Sequence, residues 1–209
     1  MVFSSIIFIY FFLPIVLLIY YISPKKIKNV ILLASGLFFY AWGEPVYVFL
    51  MLFTTLVDYT AGRLIDRFDS SKKIRTAALI GSLVINLGIL FTFKYSGFFA
   101  GIFGLEIKQL PLPIGISFYT FQSMSYTIDM YMRKIKVQRN FINYAAYVTL
   151  FPQIVAGPIV RYEDVQNEIN ERKLNTSLFG EGAEIFIRGL GKKVLLANNI
   201  GLLWTEIKM

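Results

Sequence analysis

Two residue types are absent from this chain of 209 residues, which contains no cysteine and no histidine. Without cysteine, disulfide bonds and thiol catalysis are excluded. Without histidine, the chain lacks the side chain that most often serves enzymes as a general base. Charged residues are also scarce, at 16% of the chain, against about a quarter in soluble domains.

The remaining composition is strongly apolar, with 56% hydrophobic residues and a mean hydropathy of +0.60. The first 24 residues carry no charged side chain, a length that can span a bilayer core. Five further uncharged blocks cover residues 29–43, 45–57, 76–93, 109–128 and 140–160. This pattern predicts an all-α protein, a polytopic transmembrane helix bundle with about six or seven membrane helices.

The basic residues are distributed unevenly between these blocks. Twelve of them lie in three alternate connecting segments, residues 25–28, 63–75 and 133–139, whereas the intervening connections hold only Lys94 and Lys108. Because cytoplasmic loops are enriched in Lys and Arg, the pattern predicts an N-terminus outside the cell and three cytoplasmic basic segments. The same clustering assigns the net charge of +8 to membrane topology and lipid contact, and argues against nucleic acid as a partner.

Polar residues recur along the block 109–128 and just beyond it. They advance by three or four residues and therefore share one face of a helix: Gly115, Tyr119, Gln122, Tyr126 and Asp129. Such a face either forms hydrogen bonds between helices or lines a cavity filled with water or substrate. Asp129 lies near the predicted cytoplasmic end, where Arg133 is placed to pair with it at i+4.

The block 140–160 contains two prolines, Pro152 and Pro158, which prevent a straight helix. Broken backbone in a membrane is tolerated where protein buries it or where it lines a cavity. Gln153 and Arg161 flank this break with polar side chains. A kink at a helix end and a re-entrant segment both fit the pattern, so whether Asn140–Val160 spans or re-enters stays open.

Charged residues also lie next to apolar segments at two further places. Asp58 follows the block 45–57 and is expected at the edge of a membrane span. Lys192 and Lys193 lie in a helical pattern over residues 178–208, either as interfacial side chains or as a site for an anionic group such as phosphate.

Three stretches resemble the membrane-bound O-acyltransferases of bacteria, and among these the alginate O-acetyltransferase type. They are residues 113–129 (PIGISFYTFQSMSYTID), 151–161 (FPQIVAGPIVR) and 186–198 (FIRGLGKKVLLAN). The N-terminal signature of that group is similar to residues 1–10 (MVFSSIIFIY) and 39–45 (FYAWGEP). The motifs follow in the expected order and extend over the whole chain.

The resemblance implies a multi-helix enzyme of the bacterial cytoplasmic membrane that moves an acyl group onto a hydroxyl of an exported polysaccharide. It implies acetyl-CoA or another acyl thioester as donor substrate, no bound cofactor or metal, and a periplasmic or extracellular acyltransferase partner. In this chain it makes five residues candidates for a substrate tunnel and two for donor binding: Gln122, Tyr126, Asp129, Gln153 and Arg161 for the first, and Lys192 and Lys193 for the second.

The chain departs from the family pattern because the catalytic histidine of such enzymes is missing. Members of the family are also about twice as long. We therefore expect residues 1–209 to form the N-terminal part of a single O-acyltransferase domain, inactive alone and without a catalytic residue. The alternative is a non-enzymatic transporter or a scaffold module of a cell-envelope complex, which the missing histidine favours and the lack of a visible inverted repeat of the transporter type disfavours.

Overall fold

The computed structural model describes residues 3–105, 110–154, 157–172 and 175–207. Every regular element within these ranges is a helix, so the predicted all-α class is confirmed. The chain divides into two compact units. The larger unit is Ile19–Asn170, and the smaller unit combines Met1–Leu18 with Glu171–Met209.

The helices follow one another in this order: α1 (Leu13–Ile22), α2 (Lys28–Gly43), α3 (Tyr47–Arg67), α4 (Lys72–Lys94), α5 (Ser96–Ile102), α6 (Ile116–Tyr131), α7 (Phe141–Val148), α8 (Phe151–Ile154), α9 (Tyr162–Glu171), α10 (Thr176–Gly191) and α11 (Asn198–Ile207). Two π-helical turns, Phe8–Phe12 and Lys192–Ala197, precede α1 and α11. A short 3-10 turn, Lys25–Ile27, leads into α2.

A tight turn joins α2 and α3, as the sequence Gly43-Glu44-Pro45 predicts. However, α3 continues past the predicted limit at Val57 and ends only at Arg67. The expectation that Asp58 lies at the edge of a span is therefore wrong, because Asp58 lies in the middle of a helix of 21 residues. A carboxyl group is accepted there because neighbouring helices supply hydrogen-bond donors to it.

Two helices, α3 with 21 residues and α4 with 23, are long and apolar enough to cross a membrane on length and composition. A shorter apolar helix covers Phe8–Ile22. The outward face of α4 is apolar as well: Ile80, Val84 and Leu87 are exposed there. Since α2 and α6 have 16 residues each, or about 24 Å, they are shorter than a hydrocarbon core of about 30 Å.

The core of the larger unit is formed by α3, α4 and α6, with α2 and α7 packed beside them. Gly62 of α3 makes room for the Tyr126 ring, because a Cβ at Gly62 would lie 2.7 Å from Tyr126 Cε1. The same ring contacts Tyr144 of α7 and Tyr162 of α9, with centroid distances of 4.5 and 5.1 Å. Such pairs contribute about 0.5–1.5 kcal/mol each beyond their buried area.

The three basic segments meet at one end of the larger unit, which we call the basic end. Arg63 Nη1 donates to the Arg139 carbonyl at 3.2 Å, which joins the end of α3 to the segment after α6. Asp69, between α3 and α4, pairs with Arg75 at 3.4 Å and with Arg133 at 3.0 Å. These contacts bring the segments 63–75 and 133–139 together.

The start of α2 reaches the same end. Asn29 Nδ2 donates to Asn143 Oδ1 at 2.8 Å and to the Ile169 carbonyl at 2.9 Å. Gln138 Nε2, just before α7, donates to Tyr162 Oη at 2.8 Å. The first turns of α2 and α7, the last turn of α9 and the Tyr162 hydroxyl therefore all lie near the basic end, together with the segment that contains Lys25–Lys28.

The described parts of residues 140–160, which are 140–154 and 157–160, enter the larger unit and return to the end where they begin, and we call residues 140–160 the re-entrant segment. α7 begins at the basic end and stops at Val148. The Thr149 carbonyl lies against Gly36 of α2, and the Phe151 ring packs on Phe39 with centroids 5.7 Å apart. The chain then turns back, since Tyr147 Oη donates to the Val160 carbonyl at 2.9 Å and Tyr162 contacts Gln138 at the basic end.

Of the two alternatives that the sequence leaves open for Asn140–Val160, the described residues favour a segment that turns back over one that continues straight. The helix breaks earlier than the prolines indicate, because α7 ends at Val148 and Pro152 is the second residue of α8. In the first turn of a helix the backbone N–H groups have no partner within the helix, so the missing N–H of proline costs no helical hydrogen bond there. Residues 155 and 156, between the two prolines, lie outside the described residues.

The smaller unit contains one long helical run, in which α10, the π-helical turn and α11 follow without interruption. Asn175 caps its start, since its side chain accepts a hydrogen bond from Ser177 N at 3.0 Å. These three elements contain no buried residue in the described ranges. Near the N-terminus, the Phe8 and Phe12 rings stack with centroids 5.6 Å apart.

We expect Gly36→Ala to destabilise the larger unit, because the new Cβ would overlap the Thr149 carbonyl that turns the re-entrant segment. Overpacking of this kind costs about 1–3 kcal/mol. The matched control is Gly81→Ala in α4, where nothing lies within 4 Å of the added Cβ. Thermal unfolding in detergent should give a lower midpoint for the first variant and an unchanged or higher midpoint for the second. Equal midpoints would contradict the close approach.

Candidate functional site

All five candidate tunnel residues lie in the larger unit. Four of them form two contacting pairs, Gln122 with Gln153 and Asp129 with Arg161, and no hydrogen bond in the described ranges joins Tyr126 to the other four. Gln122, Tyr126 and Asp129 lie on the buried face of α6. Gln153 lies on α8 and Arg161 just before α9. Two of the α6 residues contact the re-entrant segment and the residue that follows it.

The first contact joins Gln122 to the deep part of the re-entrant segment. Its Nε2 donates to Gln153 Oε1 at 3.0 Å and to the Tyr147 carbonyl at 3.1 Å. Gln122 is 2% exposed, so both of its amide protons are used away from water. This hydrogen bonding holds backbone that the helix break leaves unpaired, because the carbonyl at Tyr147 belongs to the last turn of α7.

The second contact is an ion pair between Asp129 and Arg161. Arg161 Nη2 and Nε donate to the two carboxylate oxygens at 2.5 and 3.2 Å, in a bidentate arrangement. The Asp129 side chain is 4% exposed and that of Arg161 is 42% exposed. The hydrogen bond to Asp129, and then its charge, raise the pKa of Arg161.

This pairing corrects the expectation that Asp129 pairs with Arg133 at i+4. Arg133 turns away from α6 because its backbone has a positive φ of 60°, and its guanidinium instead binds Asp69 at 3.0–3.2 Å. Asp129 is thereby left to Arg161, which lies 32 residues further along the chain. The pair fixes the point where the re-entrant segment leaves the unit.

Tyr126 lies in the protein interior, with no exposed surface. Its hydroxyl accepts a hydrogen bond from Gln138 N at 3.1 Å, which holds the loop between α6 and α7. Its ring fills the space above Gly62. The contacts of Tyr126 are therefore those of a packed core residue that joins α6 to α3, α7 and α9.

Lys192 and Lys193 belong to the smaller unit. They begin the π-helical turn Lys192–Ala197, and both side chains are exposed. Neither ammonium group has an acidic partner within 4.0 Å among the residues that the structure describes. Short π-helical turns within α-helices are frequent at functional sites, which is compatible with a binding role. That these lysines bind an anionic donor stays a prediction.

The most elaborate polar cluster surrounds Asp58, which has no exposed surface. Ser82 Oγ and Asn86 Nδ2 of α4 donate to its carboxylate, the latter at 3.0 Å to each oxygen. Ser123 Oγ and Thr127 Oγ1 of α6 donate to it at 2.5 and 3.1 Å. One carboxylate on α3 thus receives donors from both neighbouring helices, and we call these five residues the Asp58 cluster.

No ion pair in the described ranges includes Asp58. Its donors are all neutral groups, so the cluster joins α3, α4 and α6 without opposite charges. A signal for it exists in the sequence: Ser82 and Asn86 are four residues apart, as are Ser123 and Thr127. At that spacing two side chains share one helix face, which indicates a common target across the helix interface.

We expect Asp58→Ala to lower the free energy of unfolding by about 2–4 kcal/mol, because four buried donor groups lose their acceptor. Asp58→Asn should cost less, since an amide keeps the volume and the hydroxyl groups can rotate to accept from it. The control is Glu181→Ala, which removes an exposed acid. Unfolding of the purified variants in mixed micelles measures the three values. A stability of Asp58→Ala equal to that of the control would refute this role.

Relatives of the chain include the probable alginate O-acetylase AlgI of Pseudomonas aeruginosa, which is 36% identical over 215 residues. That comparison covers 97% of this chain and 41% of the relative. The protein of the same name in Pseudomonas putida is 37% identical over 214 residues, with 97% and 44% covered. The peptidoglycan O-acetyltransferase of Helicobacter pylori is 30% identical over 237 residues, with 95% and 45% covered.

The chain spans less than half the length of these curated relatives. No family model matches it, and no solved structure matches it. The resemblance carried by residues 113–129, 151–161 and 186–198 is nevertheless confirmed by the relatives themselves. Over nearly its whole length, this chain is a relative of the alginate O-acetylases, proteins of the membrane-bound O-acyltransferase type.

Proposed function

We propose that this chain is the N-terminal part of a single membrane-bound O-acyltransferase domain that acetylates an exported polysaccharide. The observation that carries the proposal is the similarity over 97% of the chain to proteins named alginate O-acetylase. The similarity to a peptidoglycan O-acetyltransferase supports a glycan hydroxyl as the acceptor class. The donor is acetyl-CoA or another acyl thioester, and a periplasmic or extracellular acyltransferase is a partner.

The catalytic base is supplied by a part of the protein outside residues 1–209. The absence of histidine from this chain supports that assignment, because activation of an acceptor hydroxyl needs a base with a pKa near neutrality. Asp58 is poorly suited to the role, since four side chains donate to its carboxylate and leave it no free access. We assign this chain the framework of the tunnel.

In that framework the re-entrant segment forms part of the tunnel wall. Irregular backbone at membrane depth is found where protein buries it or where it lines a cavity. Gln153 and Arg161 are the polar side chains that accompany it, and Gln122 and Asp129 anchor them to α6. Lys192 and Lys193 are the proposed contact for the anionic part of the donor.

The proposed topology has the N-terminus outside the cytoplasmic membrane and the basic end in the cytoplasm. In this arrangement the apolar helix Phe8–Ile22, α2, α3, α4 and α6 cross the bilayer, and the run from α10 to α11 crosses once more, which gives six of the expected six or seven membrane helices. Lys side chains that snorkel to the interface compensate for the short α2. The meeting of all three basic segments at one end of the larger unit supports this assignment.

Acetyl transfer tests the proposed function. We expect membranes from cells that express the whole reading frame containing this chain to transfer label from acetyl-CoA to a hydroxyl-bearing glycan such as alginate or peptidoglycan. The purified chain of 209 residues in liposomes should give no transfer above protein-free liposomes, because it lacks a base. Turnover by the chain alone would contradict the division of roles, and inactivity of the whole protein on every glycan acceptor would contradict the function.

Cysteine labelling tests the topology, and the absence of native cysteine makes each introduced thiol unique. With a membrane-impermeant maleimide on intact cells, we expect Glu44→Cys to react. Lys134→Cys and Glu163→Cys should react only after the membrane is opened, because the re-entrant segment returns Glu163 to the side of Lys134. Reaction of Glu163→Cys in intact cells, with Lys134→Cys protected, would show a crossing instead.

A further inference from the structure

Two cavities lie at the basic end, and both are lined by Arg133 and Asp69. One has a volume of about 420 Å³ and is lined by Arg133, Lys136 and Arg139 above apolar side chains that include Ile65 and Ile135. The other has a volume of about 370 Å³ and is lined by Lys72, Arg75 and Arg133. Each volume is large enough for a phosphate group and the atoms attached to it.

Basic groups outnumber acids around these cavities. The two linings contain five basic side chains and two acids, Asp66 and Asp69. Lys72 and Lys136 have no acidic partner within 4.0 Å among the described residues, and Arg139 reaches Asp66 only at 4.0 Å. The cavities therefore carry positive charge that the neighbouring acids leave uncompensated, which attracts an anion.

The donors there also outnumber the acceptors. Asp69 is shared between Arg75 and Arg133. Arg75 is 8% exposed, and its Nε is buried without a hydrogen-bond partner in the described part of the chain. Arg133 uses Nε and Nη2 on Asp69. Its Nη1 has no partner among the described residues, so a second acceptor group can bind to its free edge.

The backbone at Arg133 adds a third observation. Its φ of 60° lies in the left-handed region that favours glycine. Two backbone hydrogen bonds end α6 at this point: Arg133 N donates to the Met130 carbonyl, and Lys134 N donates to the Asp129 carbonyl. Glycine is the usual residue at such a helix end. An arginine at a backbone position that prefers glycine indicates that its side chain has a functional role. Strained residues of this kind cluster at ligand-binding sites.

We propose that these two cavities form one binding site for a phosphate-bearing ligand. Guanidinium and ammonium groups bind phosphate oxygens through charge-assisted hydrogen bonds. The apolar floor that Ile65 and Ile135 provide accommodates the carbon atoms attached to the phosphate. Two sources present this chemistry at a membrane surface, the headgroup of an anionic phospholipid and a soluble phosphorylated molecule such as coenzyme A. A phospholipid bound here is independent of the proposed acetyl transfer, whereas coenzyme A bound here rests on that proposed function and assigns its phosphates to the basic end in place of Lys192 and Lys193.

Binding by the purified chain tests the proposal. The probes are nanodiscs or micelles that contain phosphatidylglycerol, the same with phosphatidylcholine, and soluble coenzyme A. We expect retention of phosphatidylglycerol over phosphatidylcholine, or binding of coenzyme A, to weaken at least tenfold in the double variant Arg133→Gly with Lys136→Gln. The control is Lys25→Gln with Lys26→Gln, which removes two exposed charges outside both cavities and should change affinity by less than twofold.

Stability measured on the same variants separates binding from folding. Glycine relieves the positive φ at residue 133, and the exposed pair that it removes contributes little. Lys136 is exposed and forms no ion pair with a described residue, so the thermal midpoint of the double variant should stay the same or rise while binding falls. Loss of phosphatidylglycerol alone identifies the ligand as a lipid, and loss of coenzyme A alone identifies it as a soluble molecule. Undiminished binding in the cavity variant, an equal loss in the control, or no preference for either phosphate probe would overturn the site.

Discussion

The carboxyl group of Asp58 is the constraint on which the larger unit depends, because a buried acid is acceptable in an apolar interior only when hydrogen-bond partners surround it. Ser82 and Asn86 fix α4 to it, and Ser123 and Thr127 fix α6. Apolar packing alone permits helices in a membrane to slide and rotate, since lipid is as apolar as their side chains. Directional hydrogen bonds to one carboxylate specify a single register for three helices.

That fixed register positions α6, and α6 in turn holds the re-entrant segment at two depths. Gln122 anchors it near its tip through Gln153, and Asp129 anchors its exit through Arg161. Gly36 of α2 allows the Thr149 carbonyl to approach from the other side. The broken backbone between α7 and α9 is therefore supported from both sides, by hydrogen bonds on the α6 side and by close packing on the α2 side.

Much of this architecture follows from the sequence, because uncharged blocks, the turn at Gly43-Glu44-Pro45 and the motifs 113–129 and 151–161 are local signals. The sequence does not predict the partners of its polar residues. Asp58 ends an uncharged block and so is expected at a border, whereas the α3 helix continues past it because its donors come from distant segments. Asp129 has a local candidate in Arg133, yet the backbone turn at Arg133 directs that side chain to Asp69. Such choices depend on tertiary packing, which no local pattern contains.

The Asp58 cluster also imposes an order on synthesis. Asp58 emerges from the ribosome long before its last partners, since Ser123 and Thr127 lie 65 and 69 residues further along the chain. At about 5–20 residues per second, that interval lasts roughly 3–14 s. Before Ser123 is made, only α4 can supply partners to the Asp58 carboxyl group, through Ser82 and Asn86. We therefore expect α3 and α4 to enter the bilayer as a pair, whose cluster stays incomplete until α6 arrives to close it.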